Sequence, residues 1–250
     1  MSNPPQGRIF DASYREVVTL ADGTEVLLRL LRPDDKGRIL DGLERMSPES
    51  RYRRFFAVRD SLSERELAYL TEIDQETHFA LAAGRRDLEA RGDVHAGLGV
   101  GRFICDRDAP SRAEVAVAVV DDMHGQGLGR ILFKRVVAAA AERGVETIHV
   151  SVLGTNDAML GLLRSVFDEY TLRVEEGVVI VECPLPHVAL DQPEQRPEGA
   201  VYRVLAMAGG GLLRVVRGAR TWPVPSDLAA GLLEGEGEDG TPTTAPDPSA

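Results

Sequence analysis

The sequence predicts an α/β fold in which a mixed central sheet is flanked by helices. In the middle of the chain, Val115, Val117 and Val119 alternate with alanines, a pattern typical of a strand buried on both faces. From Leu128 onward the apolar residues recur at three- and four-residue steps, which predicts an amphipathic helix that ends at Gly144. Strand and helix patterns also alternate on both sides of this unit, as they do in α/β proteins.

The first predicted element is a β-hairpin. Residues 14–20 and 25–31 read as two short strands, and the dipeptide Asp22-Gly23 between them is a strong signal for a tight turn. The hairpin therefore contributes two antiparallel strands to the sheet.

Three helices are predicted to follow. Pro33 opens the first, because proline fits the first turn of a helix and the two aspartates after it complement the helix dipole. Ser47-Pro48 starts a second, short helix. Ser63 and Glu66 form a capping box that starts a third.

The remaining elements alternate between strands and helices. Residues 85–93 are polar and are predicted to form a loop. The glycine-rich segment 97–102 is predicted to be a core strand with small residues, because apolar residues rather than a helix follow it. A helix is expected to begin at Asn156. The predicted strands around these segments cover residues 78–83, 95–105, 147–153 and 178–181.

A glycine-rich loop joins the central strand to the helix at Leu128. Gly125, Gly127 and Gly129 can leave backbone N–H groups exposed, and the first turn of a helix has N–H groups without internal partners. The helix dipole adds positive potential there, so the loop is predicted to bind an anion, most naturally a phosphate. Neither the P-loop pattern nor G-x-G-x-x-G is present, and the alternative is a turn that only joins two elements.

The segment His124-Gly125-Gln126-Gly127-Leu128-Gly129 resembles the [Gln/Arg]-x-x-Gly-x-[Gly/Ala] motif of the GNAT acetyltransferases, with His124 at the position of Gln or Arg. The order of elements over residues 17–186 is also that of a GNAT domain. The resemblance implies that the loop binds the pyrophosphate of acetyl-CoA and that a backbone N–H of the central strand serves the thioester carbonyl. The cofactor-binding residues that it implies are Val117, Val119, Val120, His124, Gly125, Gln126, Gly127, Leu128, Gly129, Arg130 and Asn156.

The early part of the chain resembles one particular group within this family. Residues 18–35 and the segment S-P-E-S-R-Y-R-R-F-F look like the start of the GNAT domain in bacterial protein-lysine acetyltransferases. Those enzymes place a glutamate where this chain has Glu114, so the resemblance implies that Glu114 is the general base. The alternative is a solvated glutamate at a strand end, paired with Arg112. A general acid for the departing thiolate is not evident, and Tyr170 is expected to be a half-buried tyrosine at a helix end.

The function implied is transfer of an acetyl group from acetyl-CoA to a primary amine, with a protein lysine as the expected acceptor. Two alternatives stay open: an acetyltransferase for a small amine such as a polyamine, amino acid or antibiotic, and a CoA-binding sensor without turnover. The sequence does not identify the acceptor, the acyl-chain preference, the regulator or the oligomeric state.

An arginine-rich, aromatic segment spans residues 51–56. Arg51, Arg53 and Arg54 are expected to form a solvated face whose stems lie on the core, although they could also reach an acidic substrate or the cofactor phosphates. The aromatic residues of this segment are expected in the core. They are Tyr52, Phe55 and Phe56.

The composition restricts the classes of protein that the chain can belong to. The formal net charge of −11 argues against general nucleic-acid binding. Cys105 and Cys183 are too few for a disulfide scaffold, and the five histidines lack metal-binding spacing, so no metal site is expected. No signal peptide or membrane span is recognised, which predicts a cytoplasmic protein without a membrane partner.

The domain organisation predicted from these patterns has four parts. Residues 1–13 are expected to be a flexible leader and residues 14–186 the acetyltransferase domain. Residues 187–225 are rich in Pro, Glu and Gln and then apolar and basic, which predicts a linker with a small docking segment. Residues 226–250 are expected to be a disordered acidic tail.

Overall fold

One mixed sheet organises the fold. The structure, a computed structural model, describes residues 8–57, 60–175 and 177–185 and the backbone of 214–215. Within these residues the strands lie in the order β1-β2-β3-β4-β5-β6-β8-β7-β9. Neighbouring strands are antiparallel except for the pairs β5–β6 and β7–β9, which are parallel. The predicted α/β fold with a mixed sheet is therefore confirmed.

The strands follow the sequence predictions closely. The predicted hairpin is present, with its turn at Gly23 in the left-handed region. The strand bounds are β1 Arg15–Thr19, β2 Glu25–Leu30, β3 His78–Arg85, β4 Gly97–Cys105, β5 Arg112–Val119, β6 Thr147–Leu153, β7 Thr171–Glu175, β8 Val178–Pro184 and β9 Arg214–Val215.

The helices begin at the predicted capping residues. Ser47 accepts a hydrogen bond from the Ser50 N–H, and Ser63 forms the expected capping box with Glu66. The helix bounds are α1 Lys36–Glu44, α2 Pro48–Phe55, α3 Glu64–Thr71, α4 Arg86–Glu89, α5 Leu128–Glu142 and α6 Asp157–Val166. None of the helices in the described part of the chain is both long and apolar enough to span a membrane.

Three local predictions were wrong. The polar segment 85–93 contains the helix α4, because the Ala90 N–H and its neighbours close a short helical turn. Strand β7 was missed, since its five residues alternate too briefly to give a pattern. The central strand is not buried on both faces throughout, because Val117 and Val119 are only partly buried.

Helix α5 packs directly on the sheet and forms most of the core with it. Its residues Leu132, Phe133 and Val136 are fully buried. The glycines of β4 allow this close approach: a Cβ at Gly99 would lie 2.8 Å from the Ala118 carbonyl oxygen, and one at Gly101 would lie 2.8 Å from Val136 Cγ2. The prediction that this glycine-rich segment is a core strand is confirmed, and packing explains its glycines.

The last residues of the predicted leader pack against the domain. Phe10 is only 1% exposed and contacts the ring of Phe79 edge-on. The carboxylate of Glu142, at the end of α5, accepts hydrogen bonds from the backbone N–H groups of Ile9 and Phe10 at 3.2 and 3.3 Å. Residues 8–13 are thus held in place, while the rest of the predicted leader lies outside the described residues.

Replacing Phe10 with alanine should lower the free energy of unfolding by about 3 kcal/mol, because truncation of a buried phenylalanine leaves a cavity. Thermal or urea unfolding measures the loss. Ser13→Ala is the control, since Ser13 is exposed and its hydroxyl donates to the carboxylate of Asp11 two residues away. Equal stability of the Phe10→Ala protein and the unsubstituted protein would contradict the packing of this segment.

Candidate active site

A gap opens in the middle of the sheet between β5 and β6. The two strands pair only from Arg112 to Glu114 on β5, opposite Thr147 to His149 on β6. Strand β6 stays paired with β8 up to Leu153, and β5 stays paired with β4 up to Val119, so the two halves of the sheet separate between β5 and β6. Beyond Glu114, the edge of β5 that faces β6 has no strand partner within the described part of the chain.

The backbone groups of Val117 and Val119 point into this gap. The Val120 N–H donates to the Leu98 carbonyl oxygen on β4 at 3.0 Å, so the Val119 carbonyl on the same peptide points the other way. Residues two apart share this direction in a strand. The imidazole Nε2 of His124 lies 3.0 Å from the Val119 oxygen on the gap side. Val120 differs from these two valines because its N–H is already bonded to β4.

The loop before α5 presents unbonded backbone N–H groups. Gly125 and Gly127 have φ of +76° and +90°, the left-handed region that favours glycine, although a Cβ at either would meet nothing within 4 Å. From Gly125 to Arg130 no backbone N–H has a hydrogen-bond partner among the residues that the structure describes. The first helical hydrogen bond at this end comes from the Ile131 N–H to the Gly127 oxygen at 3.1 Å. The helix dipole points its positive end at the same place.

The loop and the gap lie side by side. A Cβ at Gly129 would lie 3.8 Å from Val119 Cγ2, which places the first turn of α5 against the end of β5. Leu128 is fully buried and anchors that turn in the core. The Gln126 carbonyl accepts from the Ala21 N–H at 3.5 Å, and the Arg130 guanidinium reaches the Ser165 carbonyl at 3.5 Å. An elongated anionic ligand could therefore lie across the loop and extend along β5.

Asn156 stands after the end of β6, at the start of α6. Its side-chain oxygen accepts from the Met159 N–H at 3.2 Å, and its own N–H donates to the Leu153 carbonyl at 2.8 Å. The side chain caps α6, which accounts for its position without a ligand.

Glu114 is the last residue of β5 that is paired with β6. Its register partners are Ile104 on β4 and His149 on β6. The residue is half-buried, and burial raises the pKa of its carboxyl to about 8, with Asp106 adding to the rise and Arg54 opposing it. The carboxylate makes no hydrogen bond or ion pair with any described residue, including Arg112, which pairs instead with Asp106 and Glu182. The paired alternative considered for Glu114 is therefore not observed.

A cavity lies between α1–α3 and the sheet, on the same face as Glu114. The register row Ala82–Val100–Ala118 forms its floor, and these short side chains leave space beneath the helices. Ala118 follows Glu114 by four residues on one strand, so both side chains point to this face. The buried Arg102 and the partly buried Arg54 line the cavity and give it a positive wall.

Arg102 carries its charge without a carboxylate partner in the described residues. Its guanidinium lies 3.0 Å from His78 Nε2 and donates to the Leu70 carbonyl at 3.3 Å. Burial lowers the pKa of Arg102 to about 9, and the neighbouring Arg54 lowers it further. Burial likewise lowers the pKa of His78 to about 4, so this imidazole is neutral.

The arginines of α2 have three different environments. Arg51 donates to carbonyls at the end of α1 and pairs with Asp60, and Arg53 pairs with Glu49 on the surface. Arg54 lies instead in the cavity wall, so the prediction of one solvated arginine face was wrong for this residue.

The aromatic residues of α2 were also expected in the core. Tyr52 and Phe56, the latter directly after α2, are instead 45% and 37% exposed, so this prediction was wrong for both residues. Only Phe55 lines the cavity, and the Arg54 guanidinium lies 5.1 Å from its ring centroid.

Sequence reasoning missed Arg54 and His149 as neighbours of Glu114. No motif marks either residue, and both reach Glu114 through tertiary structure. The alternation of polar and apolar residues along 147–153 does place His149 on the face opposite the core, but not beside Glu114. Among the described residues, no group of histidine, cysteine or acidic side chains could hold a metal ion.

Comparison with known proteins identifies the class. The family model for the Acetyltransferase (GNAT) family matches residues 45–167. The chain is 30% identical to "Acetyltransferase PA5475" of Pseudomonas aeruginosa over 149 residues, which are 58% of this chain and 76% of that protein. It is 32% identical to "Acetyltransferase Pat" of Mycolicibacterium smegmatis over 174 residues, which are 68% of this chain and 49% of Pat. The chain thus spans about half the length of Pat.

The fold comparison agrees. The GNAT domain of S. lividans PAT superimposes with a TM-score of 0.62 at 29% identity, covering 70% of this chain and 99% of that one. The fold and the sequence are therefore those of an acyltransferase domain. More particularly, the chain belongs to the GNAT acetyltransferase family, whose acyl donor is acetyl-CoA.

The raised pKa of Glu114 has a consequence for stability. Between about pH 4.5, the ordinary pKa, and about pH 8, the folded state holds a proton that the unfolded state has lost, so this group makes stability fall as pH rises. Glu114→Gln removes the titration. Thermal unfolding should show the variant more stable than the parent at pH 8 and no more stable at pH 4, where the carboxyl is protonated in both states. A difference that is independent of pH would contradict the assigned shift.

Proposed function

We propose that this protein moves an acetyl group from acetyl-CoA to a primary amine by direct attack, with Glu114 as general base and a protein lysine as acceptor. One observation carries the proposal: the unbonded N–H groups from Gly125 to Arg130 adjoin the open edge of β5, and that edge begins at Glu114. The groups proposed for anion binding, cofactor alignment and proton removal thus lie along one continuous path.

The loop and the strand edge supply the acetyl-CoA site in this proposal. The N–H groups at the positive end of α5 hold the diphosphate. The pantetheine arm lies in the gap and bonds to backbone groups of Val117 and Val119, whose direction supports this role. The Val119 N–H donates to the thioester oxygen as negative charge develops on it. His124, which now bonds to the Val119 oxygen, leaves that oxygen when the arm binds.

Glu114 removes a proton from the incoming amine. A lysine ammonium has an ordinary pKa of about 10.4 and cannot attack until it loses a proton. A carboxylate whose pKa is raised to about 8 is a much stronger base than an ordinary one, and the Arg54 charge keeps part of it ionised near neutral pH. Attack of the neutral amine on the thioester carbon then expels the CoA thiolate.

A protein lysine is the acceptor favoured by two lines of support. The start of the domain resembles that of bacterial protein-lysine acetyltransferases. Relatives named Pat also match both the sequence and the fold. The acceptor reaches Glu114 from the cavity side, where the small residues Val100 and Ala118 leave room for an extended side chain.

Labelled acetyl-CoA should be transferred to lysine-containing proteins, and Glu114→Gln should lower kcat by about 100-fold or more, because general-base catalysis is lost. Cofactor affinity should not change, since Glu114 lies at the far end of the path. Glu169→Gln, an exposed carboxylate outside the site, is the control. A panel of polyamines, amino acids and antibiotics tests the small-amine alternative. Full activity of Glu114→Gln would contradict the general base, and cofactor binding without transfer to any amine would favour a sensor.

Acetyl-CoA at a hundred times its dissociation constant should stabilise the protein by about 2.7 kcal/mol. Gly127→Val should abolish this gain, because φ of +90° disfavours valine and its side chain stands among the N–H groups. Gly92→Val is the matched control, since Gly92 has φ of +70°, equal space around it and no part in the site. The measurement is a thermal shift with and without acetyl-CoA. An undiminished shift in Gly127→Val would contradict the loop assignment.

A further inference from the structure

His149 stands next to Glu114 in the sheet. The two residues are register partners across β5 and β6, and His149 is in turn the partner of Glu182 on β8. Register partners on neighbouring strands point to the same face and lie about 5 Å apart. A row of three titratable side chains therefore crosses the sheet at the point where the gap opens, with the imidazole between two carboxyl groups.

The imidazole also lies near a carboxylate that is partly exposed to solvent. Its side chain is 14% exposed, and its Nε2 lies 3.9 Å from Asp106 Oδ1 in the loop after β4. Asp106 is 33% exposed, so this carboxylate reaches solvent. The other ring nitrogen, Nδ1, is buried and has no hydrogen-bond partner in the described residues. Thus Nδ1 is buried without a hydrogen-bond partner among the described residues, while Nε2 faces the partly exposed carboxylate of Asp106.

The charged groups around His149 come from four elements. Arg112 and Glu114 belong to β5, Asp106 to the preceding loop, Glu182 to β8 and Arg173 to β7. Arg112 and Arg173 both donate to Glu182, at 2.8 and 2.5 Å, and Arg112 lies 3.4 Å from Asp106. These pairs hold both carboxylates in place.

The charges around His149 act in opposite directions on the pKa of its imidazole, so burial has the main effect on that pKa. Asp106 and Glu182 raise the pKa of the imidazole and the two arginines lower it, while burial lowers it most. The ring is therefore neutral near pH 7 and can accept a proton.

We propose that His149 takes the proton that Glu114 has removed from the acceptor amine and passes it to solvent at Asp106. This inference rests on the proposed function, because it needs Glu114 as the base. His149 acts through Glu114 and does not touch the substrate, so it is a positioning residue for the transferred proton.

The protons balance in this scheme. An ammonium and a thioester become an amide, a thiol and one free proton. One ammonium proton moves to the Glu114 carboxylate, and then from its oxygen to Nδ1 of His149 as the proton on Nε2 leaves toward Asp106 and solvent. The second nitrogen proton is lost as the C–S bond breaks, and it neutralises the thiolate. Glu114 returns ionised and His149 returns neutral, with its proton on the other ring nitrogen until the ring exchanges with solvent.

The test is chemical rescue. His149→Ala should lower kcat about tenfold while the KM for acetyl-CoA stays unchanged, because proton transfer and not cofactor binding is impaired. Added imidazole should restore most of the loss, with a rate that rises with the concentration of the neutral base, whereas a structural defect would not respond. Thr147→Val is the control: Thr147 lies on the same strand and face, two residues before His149 and opposite Arg112 rather than Glu114.

A second variant covers the case in which His149→Ala does not fold. Asp106→Asn should slow proton exit and make kcat rise with buffer concentration. The inference is overturned if Glu114→Gln is impaired while His149→Ala and Asp106→Asn keep the full rate, or if their loss is insensitive to imidazole and buffer. Full activity of Glu114→Gln overturns the proposed general base instead, so the two failures are distinguishable.

Discussion

The separation of β5 from β6 is the constraint on which the rest of the site depends. Unpaired backbone groups inside a sheet are costly, because a buried N–H or C=O without a partner loses the hydrogen bonds that water would give it. Here the strands pair up to Glu114 and then part, leaving Val117 and Val119 with one open side. The gap thus exposes backbone N–H and C=O groups of β5. A ligand with amide groups can form hydrogen bonds with them, as a neighbouring strand would.

Besides this open edge, the site contains two charged side chains whose burial is unfavourable for the stability of the fold. Glu114 has a raised pKa because its carboxylate is half-buried without a partner, and Arg102 has a lowered one because its guanidinium is buried. The contrast with the ion pair of Arg29 and Asp35 is informative: that pair is buried and bidentate, at 2.6 and 2.7 Å. Arg29 and Asp35 neutralise each other's charge, whereas Glu114 and Arg102 form no ion pair in the described part of the chain, a feature typical of functional sites.

Much of the fold and part of the site followed from the sequence, for reasons that particular residues make plain. The glycine loop at Gly125 and Gly127 is a local feature, in which spacing, positive φ and the following helix all lie within a few residues. The central strand and its helix have long, regular patterns. The environments of Arg54 and His149 were not predicted, because they depend on how α2 and β6 approach β5 and no local pattern encodes that approach. Strand β7 and helix α4 were missed because each is too short to establish a period.

The two glycines of β4 have an effect that reaches beyond the core. Gly99 and Gly101 let α5 settle directly on the strand, and the start of that helix carries the N–H groups of the loop. The depth at which the helix sits therefore sets how far those groups stand from Val119. A methyl group added at Gly101 would lie 2.8 Å from Val136 Cγ2 and would push the helix away from the sheet. In the proposed cofactor site, the spacing between diphosphate and thioester therefore depends on residues that touch neither.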